Sequence, residues 1–352
     1  MRTLILTGGG TAGHVTPNLA LLPELKKRFD KIIYVGCKDG IEERLAQREN
    51  LPFYPITCVK FERKFTPKNL LIPIKLIKGV SEAKKLLSTL KPTAIFSKGG
   101  YVALPTVIAG KKLKIPVISH ESDMTVGLAN KISAKYSNLF LTSFDCTKID
   151  GVKTVFTGSP INQNLFCKYD RQALLKKYGF SGRRKILLVF GGSSGSQSIN
   201  EIVQKCLYRL INRYDVIHLC GKGKGVNSRE KGYLKIDFTD NIAELFYLAD
   251  LVVSRAGANS LFELTALKKP TLAIPLPKGN SRGDQIDNAE YFKKRKMIEV
   301  LFEEDMTENS FVNAVAKLET NSKRLEQSCE NNSPTLANAK IVRAIESVCP
   351  QH

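Results

Sequence analysis

Four short clusters in this chain combine glycine with groups that bind anions or exchange protons. The first is Thr7-Gly8-Gly9-Gly10-Thr11-Ala12-Gly13-His14, between the apolar run Leu4-Ile5-Leu6 and a helical pattern from Val15 onward. Its glycines allow a tight strand-to-helix turn, and the first amides of the helix can face an anion. Gly8, Gly10 and Gly13 fit G-x-G-x-x-G. A dinucleotide site also needs an acid at the end of the second strand, and Ile32–Val35 runs instead into Gly36-Cys37-Lys38, with Asp39 too far along. A nicotinamide site is therefore disfavoured.

The second cluster, Gly191-Gly192-Ser193-Ser194-Gly195-Ser196, repeats this logic after the apolar run Lys185–Phe190. The third is Ser254 to Glu263. Gly257 permits a turn into a helix, Asn259 and Ser260 can bind hydroxyls or phosphate, and Glu263 can accept from a ribose diol. The same residues also fit a plain capping box, Ser260 with Glu263 three residues on. The fourth, Ser281-Arg282-Gly283-Asp284-Gln285, opens the next helix but one, so the last two clusters can frame a nucleotide sugar.

The elements that must position these clusters alternate apolar runs with amphipathic stretches. Leu4–Thr7, Ile32–Val35, Ala94–Ser97, Val117–Ser119, Leu139–Thr142 and Val152–Phe156 read as strands, with helices over Val15–Arg28, Ile41–Glu49, Leu104–Lys112 and Leu128–Tyr136. The later strands are Lys185–Phe190, Val216–Leu219, Asp250–Ser254, Thr271–Ile274 and Ile298–Leu301, with a helix over Ile199–Leu210. This is an α/β chain of two doubly wound, Rossmann-like domains. Gly158-Ser159-Pro160 punctuates it, giving domains 1–160 and 161–352, the last helix, 336–348, being able to pack back on the first. Ligands of open α/β sheets bind beyond the carboxyl ends of the strands, so two such domains are expected to face a cleft.

Composition narrows the function classes. A length of 352 residues suits two ordinary domains. No window reads as a spanning helix or a signal peptide, and eight cysteines without C-x-x-C spacing argue against a zinc site or a disulfide framework. A cytoplasmic protein is expected. Of the formal charge of +21, +13 falls within the first 165 residues, which suits an anionic membrane surface or phosphorylated substrates. Nucleic acid is disfavoured, because no recognition helix or aromatic-basic interleaving is present.

The segment Lys60–Lys78 carries six basic residues, one acid and a dense apolar cluster. Lys64, Lys68, Leu71, Ile74, Lys75, Ile77 and Lys78 read as an interfacial patch, in which apolar side chains enter the headgroup boundary and each basic residue adds on the order of 1 kcal/mol at anionic lipid. A loop followed by an ordinary core helix, broken by Pro73, fits the same residues.

Taken together these clusters resemble the MurG family, bacterial UDP-N-acetylglucosamine transferases that convert lipid I to lipid II. The marks are Gly8 to His14, Lys98-Gly99-Gly100-Tyr101-Val102, His120-Glu121-Ser122-Asp123, Gly191 to Gly195, Ser254 to Glu263, and Gly283-Asp284-Gln285-Ile286-Asp287-Asn288-Ala289, in one order along nearly the whole length. The resemblance implies a GT-B glycosyltransferase fold and inverting transfer of N-acetylglucosamine to the 4-hydroxyl of a polyprenyl-diphosphate-linked N-acetylmuramoyl peptide. It implies that Glu263 binds the ribose, Phe238, Thr239 and Ile242 flank uracil, and Ser193 meets the diphosphate. Ala258, Asn259, Ser260 and Gln285 would line the sugar, with Asp123 and Asp284 near it where amides are commoner. Thr11, Ala12 and Gly13 would approach the donor from the opening loop. Gly10, Gly13, Gly99, Gly100, Tyr101 and Glu121 would bind the acceptor. Asn162 stands where an arginine is usual.

The chemistry then needs a base, and His14 is the candidate. In the first turn of a helix the dipole disfavours imidazolium, which keeps the ring able to accept a proton; capping or packing is its alternative role. Glu121 is a second base candidate, His120 reads as a loop-orienting residue and His218 as core. Arg255 and helix-start amides can assist departure of UDP. No Asp-x-Asp occurs, so neither a catalytic metal nor another cofactor is expected. The expected location is the cytoplasmic face of the cell membrane, as a peripheral protein. Two other readings share these features: a related transferase acting on another lipid such as a diacylglycerol, and a nucleotide-binding Rossmann protein without turnover.

Overall fold

A computed structural model of the chain describes all residues except 61–71, 193, 226–227, 229, 280–282, 333–336 and 351–352. The chain divides into two compact units, Met1–Asn162 with Leu336–His352, and Gln163–Thr335.

The first unit is a parallel sheet of seven strands: β1 (Thr3–Thr7), β2 (Lys31–Cys37), β3 (Phe53–Ile56), β4 (Ala94–Ser97), β5 (Val117–Glu121), β6 (Leu139–Thr142) and β7 (Thr154–Phe156). Their order is β3-β2-β1-β4-β5-β6-β7. Strands buried on both faces explain why Leu4-Ile5-Leu6 and Ala94–Ser97 are continuous rather than alternating runs. One face packs helices Ala12–Ala20 and Ala337–Ser347 against Leu4, Leu6, Tyr34 and Phe96; the other packs helices Ile72–Leu90 and Leu104–Lys112 against Ile5, Ile33 and Ile95. Ile341, Val342 and Ile345 of the last helix lie in this core. Buried Asn338 fastens that helix, its Nδ2 donating to Ala20 O at 3.2 Å and Ile161 O at 2.8 Å while its Oδ1 accepts from Ile161 N at 2.9 Å.

The second unit carries β8 (Lys185–Phe190), β9 (Tyr214–Leu219), β10 (Tyr233–Ile236), β11 (Leu251–Ser254), β12 (Thr271–Ala273) and β13 (Glu299–Val300), in the order β10-β9-β8-β11-β12-β13. Both units therefore show the Rossmann order, with the strand sequence reversing beside the first strand. The switch points lie between β1 and β4, where Thr7 pairs with Ser97, and between β8 and β11, where Phe190 pairs with Ser254. The glycine clusters follow β1, β4 and β8, so the topology delivers them to the two places where such sheets open a crevice.

Two edge strands and two helix breaks depart from the sequence reading, one of the breaks dividing the expected helix Ile199–Leu210 into Gln197–Lys205 and Leu207–Ile211. Strand β3 contains Pro55, which an edge tolerates but which reads as loop chemistry, and β10 is only half-buried along its length. The expected helix Val15–Arg28 begins at Ala12 and stops at Ala20, with a separate turn over Leu22–Leu25. Pro23 has no N–H to continue the ladder, and the Leu21 N–H bonds Asn18 O at 3.2 Å instead.

Candidate active site

At the first switch point the loops after β1 and β4 touch through Gly9 N–H to Gly99 O, 3.3 Å. Gly100 has φ +78°, and a Cβ there would run into Gly9 O and stand 3.3 Å from His14 Nδ1. Only glycine supplies both that backbone and that clearance. His14 lies in the first turn of helix Ala12–Ala20, part-exposed, and its Nδ1 pairs with Thr11 Oγ1 at 3.0 Å, which fixes the ring. Gly99, Gly100 and Tyr101 are thus gathered around Gly10 and His14; the Tyr101 ring lies against Gly10.

Two residues assigned to anion or proton work are occupied by the protein itself. The Gly10 amide donates to Glu42 Oε2 at 3.2 Å, while Glu42 Oε1 accepts from Cys37 N at 3.0 Å. Glu42 is buried in the first turn of helix Ile41–Arg48 and fills the place an anion would take at Gly10. Ala12 and Gly13, in the first turn of their helix, and Thr11, which caps it, are the remaining positions of this loop from the sequence reading.

Glu121, at the end of β5, is likewise saturated. Its Oε1 accepts from Ser122 N at 2.8 Å and Asp123 N at 3.0 Å, and its Oε2 from Gly127 N and Asn130 Nδ2, both at 3.0 Å. Four donors use the four lone-pair sites of a carboxylate, so Glu121 shapes the loop that carries half-buried Asp123 rather than serving as a base. His120 bridges Lys98 Nζ (2.6 Å to Nδ1) and Gly158 O (3.0 Å to Nε2), and burial beside the Lys98 ammonium holds its pKa well below the usual value. Lys98 is itself fully buried, which lowers its pKa to about 7 against the pull of Glu121 and Asp123. His218 belongs to the core of the second unit, between Tyr233 OH and Asn200 Oδ1, and burial lowers its pKa to about 4.

At the second switch point the loop after β8 closes with Gly195 N–H to Gly192 O, 3.1 Å; Ser193 lies outside the described residues. Gly195, φ +70°, brings its Cα against Cys220 O, where a Cβ would collide. A cavity of about 470 Å³ opens here, lined by Gly191, Gly195, Ser196, Arg255, Gln285 and Glu303 among others. Arg255 is buried and held on all sides: Nη2 donates to Ser196 Oγ at 2.8 Å and Ser198 Oγ at 2.7 Å, Nη1 to Ile274 O at 3.2 Å, and it is ion-paired with Glu303. It frames the cavity more than it projects into it.

The helix after β11 spans Ala258–Ala266 with Gly257 as its N-cap. Ser260 is therefore its third residue rather than its cap, and the Ser260–Glu263 capping box does not form. Among the described residues neither Ser260 nor Glu263 has a side-chain hydrogen bond. Burial alone raises the Glu263 pKa to about 7. A half-buried carboxylate in want of donors is suited to a ribose diol. Ala258 is buried and Asn259 half-buried in the same first turn. Asn288 Nδ2 ties the loop, through Ala256 O at 3.3 Å, to helix Asp284–Lys294, whose Gln285 accepts from Leu276 N at 3.0 Å and whose first residue is Asp284. Beyond β10, Phe238 is exposed with the Lys222 ammonium 5.4 Å over its ring, Thr239 accepts from Asn241 N at 3.0 Å, and Ile242 starts a helix.

The chain matches the glycosyltransferase family 28 N-terminal domain over residues 4–141 and the C-terminal domain of the same family over residues 186–346. It is 46% identical over 317 residues to the UDP-N-acetylglucosamine–N-acetylmuramyl-(pentapeptide) pyrophosphoryl-undecaprenol N-acetylglucosamine transferase of Clostridium botulinum (strain Loch Maree / Type A3), covering 89% of each chain. The chain belongs to this transferase family. The enzyme of the same name from Clostridium perfringens (strain SM101 / Type A) is 45% identical over 323 residues, 90% of each chain. The crystal structure of Acinetobacter baumannii MurG superposes with a TM-score of 0.76 at 23% identity, over 99% of this chain and 100% of that one, and the glycosyltransferase of kitacinnamycin does so with 0.76 at 14% identity, over 99% of each. These likenesses fix the fold as the GT-B type of two Rossmann-like units.

Of the membrane patch expected from the sequence, Lys64, Lys68 and Leu71 lie outside the described residues. Helix Ile72–Leu90 starts beside Pro73 and is not broken by it; Ile72, Val80, Ala83 and Leu87 face the core. Ile74 and Ile77 are 64% and 70% exposed, next to exposed Lys75 and Lys78. Among the described residues no helix is long and apolar enough to cross a membrane. Residues that sequence reasoning missed, Glu42, Asn130 and Glu303, act through partners 32, 9 and 105 positions away, leaving no local pattern to find.

Proposed function

We propose that this chain transfers N-acetylglucosamine from UDP-N-acetylglucosamine to the 4-hydroxyl of a polyprenyl-diphosphate-linked N-acetylmuramoyl peptide, converting lipid I to lipid II with inversion at the anomeric carbon. The observation that carries the reading is the 46% identity over 89% of the chain to enzymes so named, joined to a carboxylate, Glu263, left open for a ribose. Glu263 takes the 2′- and 3′-hydroxyls, Phe238, Thr239 and Ile242 flank uracil, and the cavity at Gly195, Ser196 and Gln285 receives the diphosphate. Ala258, Asn259, Ser260 and Asp284 line the sugar in the second unit, and Thr11, Ala12, Gly13 and Asp123 are the donor-side residues of the first. Gly99, Gly100 and Tyr101 contact the acceptor, and Gly10 shapes that surface from behind through Glu42.

His14 accepts the proton of the acceptor 4-hydroxyl as the new O4–C1 bond forms. The bond from C1 to the β-phosphate oxygen breaks, UDP leaves with the electron pair, and the imidazolium gives its proton to water. Thr11 at Nδ1 keeps the ring oriented for this step. Helix-start amides, with Arg255 behind them, serve the leaving diphosphate, and the reaction uses no catalytic metal, in keeping with a sequence that lacks Asp-x-Asp. The enzyme works at the cytoplasmic face of the membrane, where Ile74, Ile77 and the neighbouring lysines meet anionic lipid. A thermal shift with UDP and with NAD tests the nucleotide class: stabilisation by UDP alone is expected, and stabilisation by NAD alone would overturn the reading.

A further inference from the structure

Lys98 is 1% exposed, at the end of β4 directly before Gly99 and Gly100. A buried ammonium is costly unless its donors are met, and packing alone would be served as well by an apolar side chain of the same length. Its donors are directed at one place. Nζ lies 2.6 Å from His120 Nδ1, on the neighbouring strand β5, and 2.7 Å from Ser122 Oγ, on the segment that leaves it. With Nδ1 accepting from Lys98, His120 carries its proton on Nε2 and donates to Gly158 O at 3.0 Å, so the tie extends to the chain beyond β7. From Ser122 the loop runs through Asp123 to Gly127 and Asn130, folded around Glu121. Asn130 in turn lies against Gly99, and Gly100 lies against Gly9 and His14. Lys98 thus joins the loop that surrounds His14 to the loop that carries Asp123, beside the contact of Asn130 with Gly99.

We propose that Lys98 is a positioning residue of the acceptor-side site, its buried ammonium locking the Ser122–Asn130 loop in register with Gly99, Gly100 and His14. The substrate assignment in this proposal rests on the transferase reading; the loop-locking itself does not. The proposal is tested with Lys98→Met, which keeps the stem and removes the ammonium, and with Ser122→Ala, a milder cut of the same tie that keeps the protein folded should Lys98→Met fail to fold. Hydrogen exchange is read first, since it needs no activity. Exchange at the Ser122, Asp123 and Gly127 amides should rise at least about tenfold in either variant, with protection of β1 and of β8 unchanged. An equal rise throughout the first unit, or no rise in the loop, would overturn the proposal.

Transfer kinetics with UDP-N-acetylglucosamine and a lipid-linked muramoyl acceptor follow. The acceptor KM should rise about tenfold and by more than the donor KM, which moves only through Asp123, and the double variant should lose no more than Lys98→Met alone, because the tie is already cut. Unchanged acceptor KM in a folded Lys98→Met, or equal losses in both KM values, would refute positioning. Failure of the wild-type protein to transfer would instead refute the substrate reading, leaving the exchange result to judge the lock.

Discussion

Glu263→Gln separates binding from stability, because the two should move in opposite directions. Burial lifts this carboxyl to about 7 in the folded protein from an ordinary 4.5, and no protein donor among the described residues offsets the cost. A folded-state pKa raised above the unfolded one means that the folded protein holds the extra proton, so stability falls as pH rises from about 4.5 to about 7 and stays reduced above that. Glutamine carries no such penalty. After discounting for the partial exposure of the side chain, the variant should be more stable than wild type by about 1–3 kcal/mol at pH 8, with the difference gone near pH 4.

UDP binding should change the other way. In the proposed function the ionised carboxylate accepts both ribose hydroxyls, and replacing two charge-assisted bonds by weaker neutral ones should cost about 1–3 kcal/mol, roughly 5- to 150-fold in Kd at pH 8. Since the free group titrates near 7, wild-type affinity should fall between pH 8 and pH 6 by several-fold more than that of the variant, whose remaining slope is that of the terminal phosphate of UDP. Calorimetric titration of UDP at both pH values, with thermal melts of the free proteins, reads all of these. A variant that binds UDP as tightly as wild type, or whose slope between pH 8 and pH 6 equals that of wild type, would show that Glu263 does not hold the ribose.

Three further outcomes follow from the same geometry. His14→Ala should lower turnover by about 10²- to 10⁴-fold with UDP affinity unchanged, and wild-type turnover in steady-state assays would make His14 a purely structural residue. Glu42→Ala strands the Gly10 and Cys37 amides and should cost about 2–4 kcal/mol in urea denaturation, whereas a loss below 0.5 kcal/mol would mean that the loop does not depend on this carboxylate. Changing Ile74 and Ile77 to Ser should weaken binding to vesicles containing anionic lipid with the melting temperature preserved, both side chains being largely exposed; unaltered sedimentation with vesicles would place the membrane contact elsewhere.

Much of this architecture was legible because it is written locally. Strands buried on both faces are continuous apolar runs, and glycine loops between such a run and an amphipathic stretch mark strand-to-helix turns, so β1, β4, β8 and β11 and the clusters behind them could be read directly. Two of the four edge strands were not legible: β3 carries a proline and β10 is half-buried, so neither shows the pattern of a central strand. Long-range pairing of side chains was invisible for a different reason. Glu42 sits in Ile41-Glu42-Glu43-Arg44, a segment that reads as a solvated helix face, yet its carboxylate is buried against Gly10 and Cys37. The Gly10 amide therefore reads as an anion donor from sequence and proves to be occupied. Arg255 follows the same course, its charge answered by Glu303 from a turn beyond β13. Ser260 shows the converse: local spacing allowed a capping box, and the backbone places the cap at Gly257, leaving the side chains of Ser260 and Glu263 without a hydrogen bond among the described residues.

The most direct test supplies the purified chain with a lipid-linked N-acetylmuramoyl peptide acceptor, a diacylglycerol acceptor, and a panel of UDP- and GDP-sugars, and identifies the products by mass and linkage. The account predicts a β-1,4-linked N-acetylglucosaminyl product on the muramoyl acceptor from UDP-N-acetylglucosamine alone. Transfer to diacylglycerol, or transfer to the muramoyl acceptor from another sugar nucleotide in preference, would contradict it.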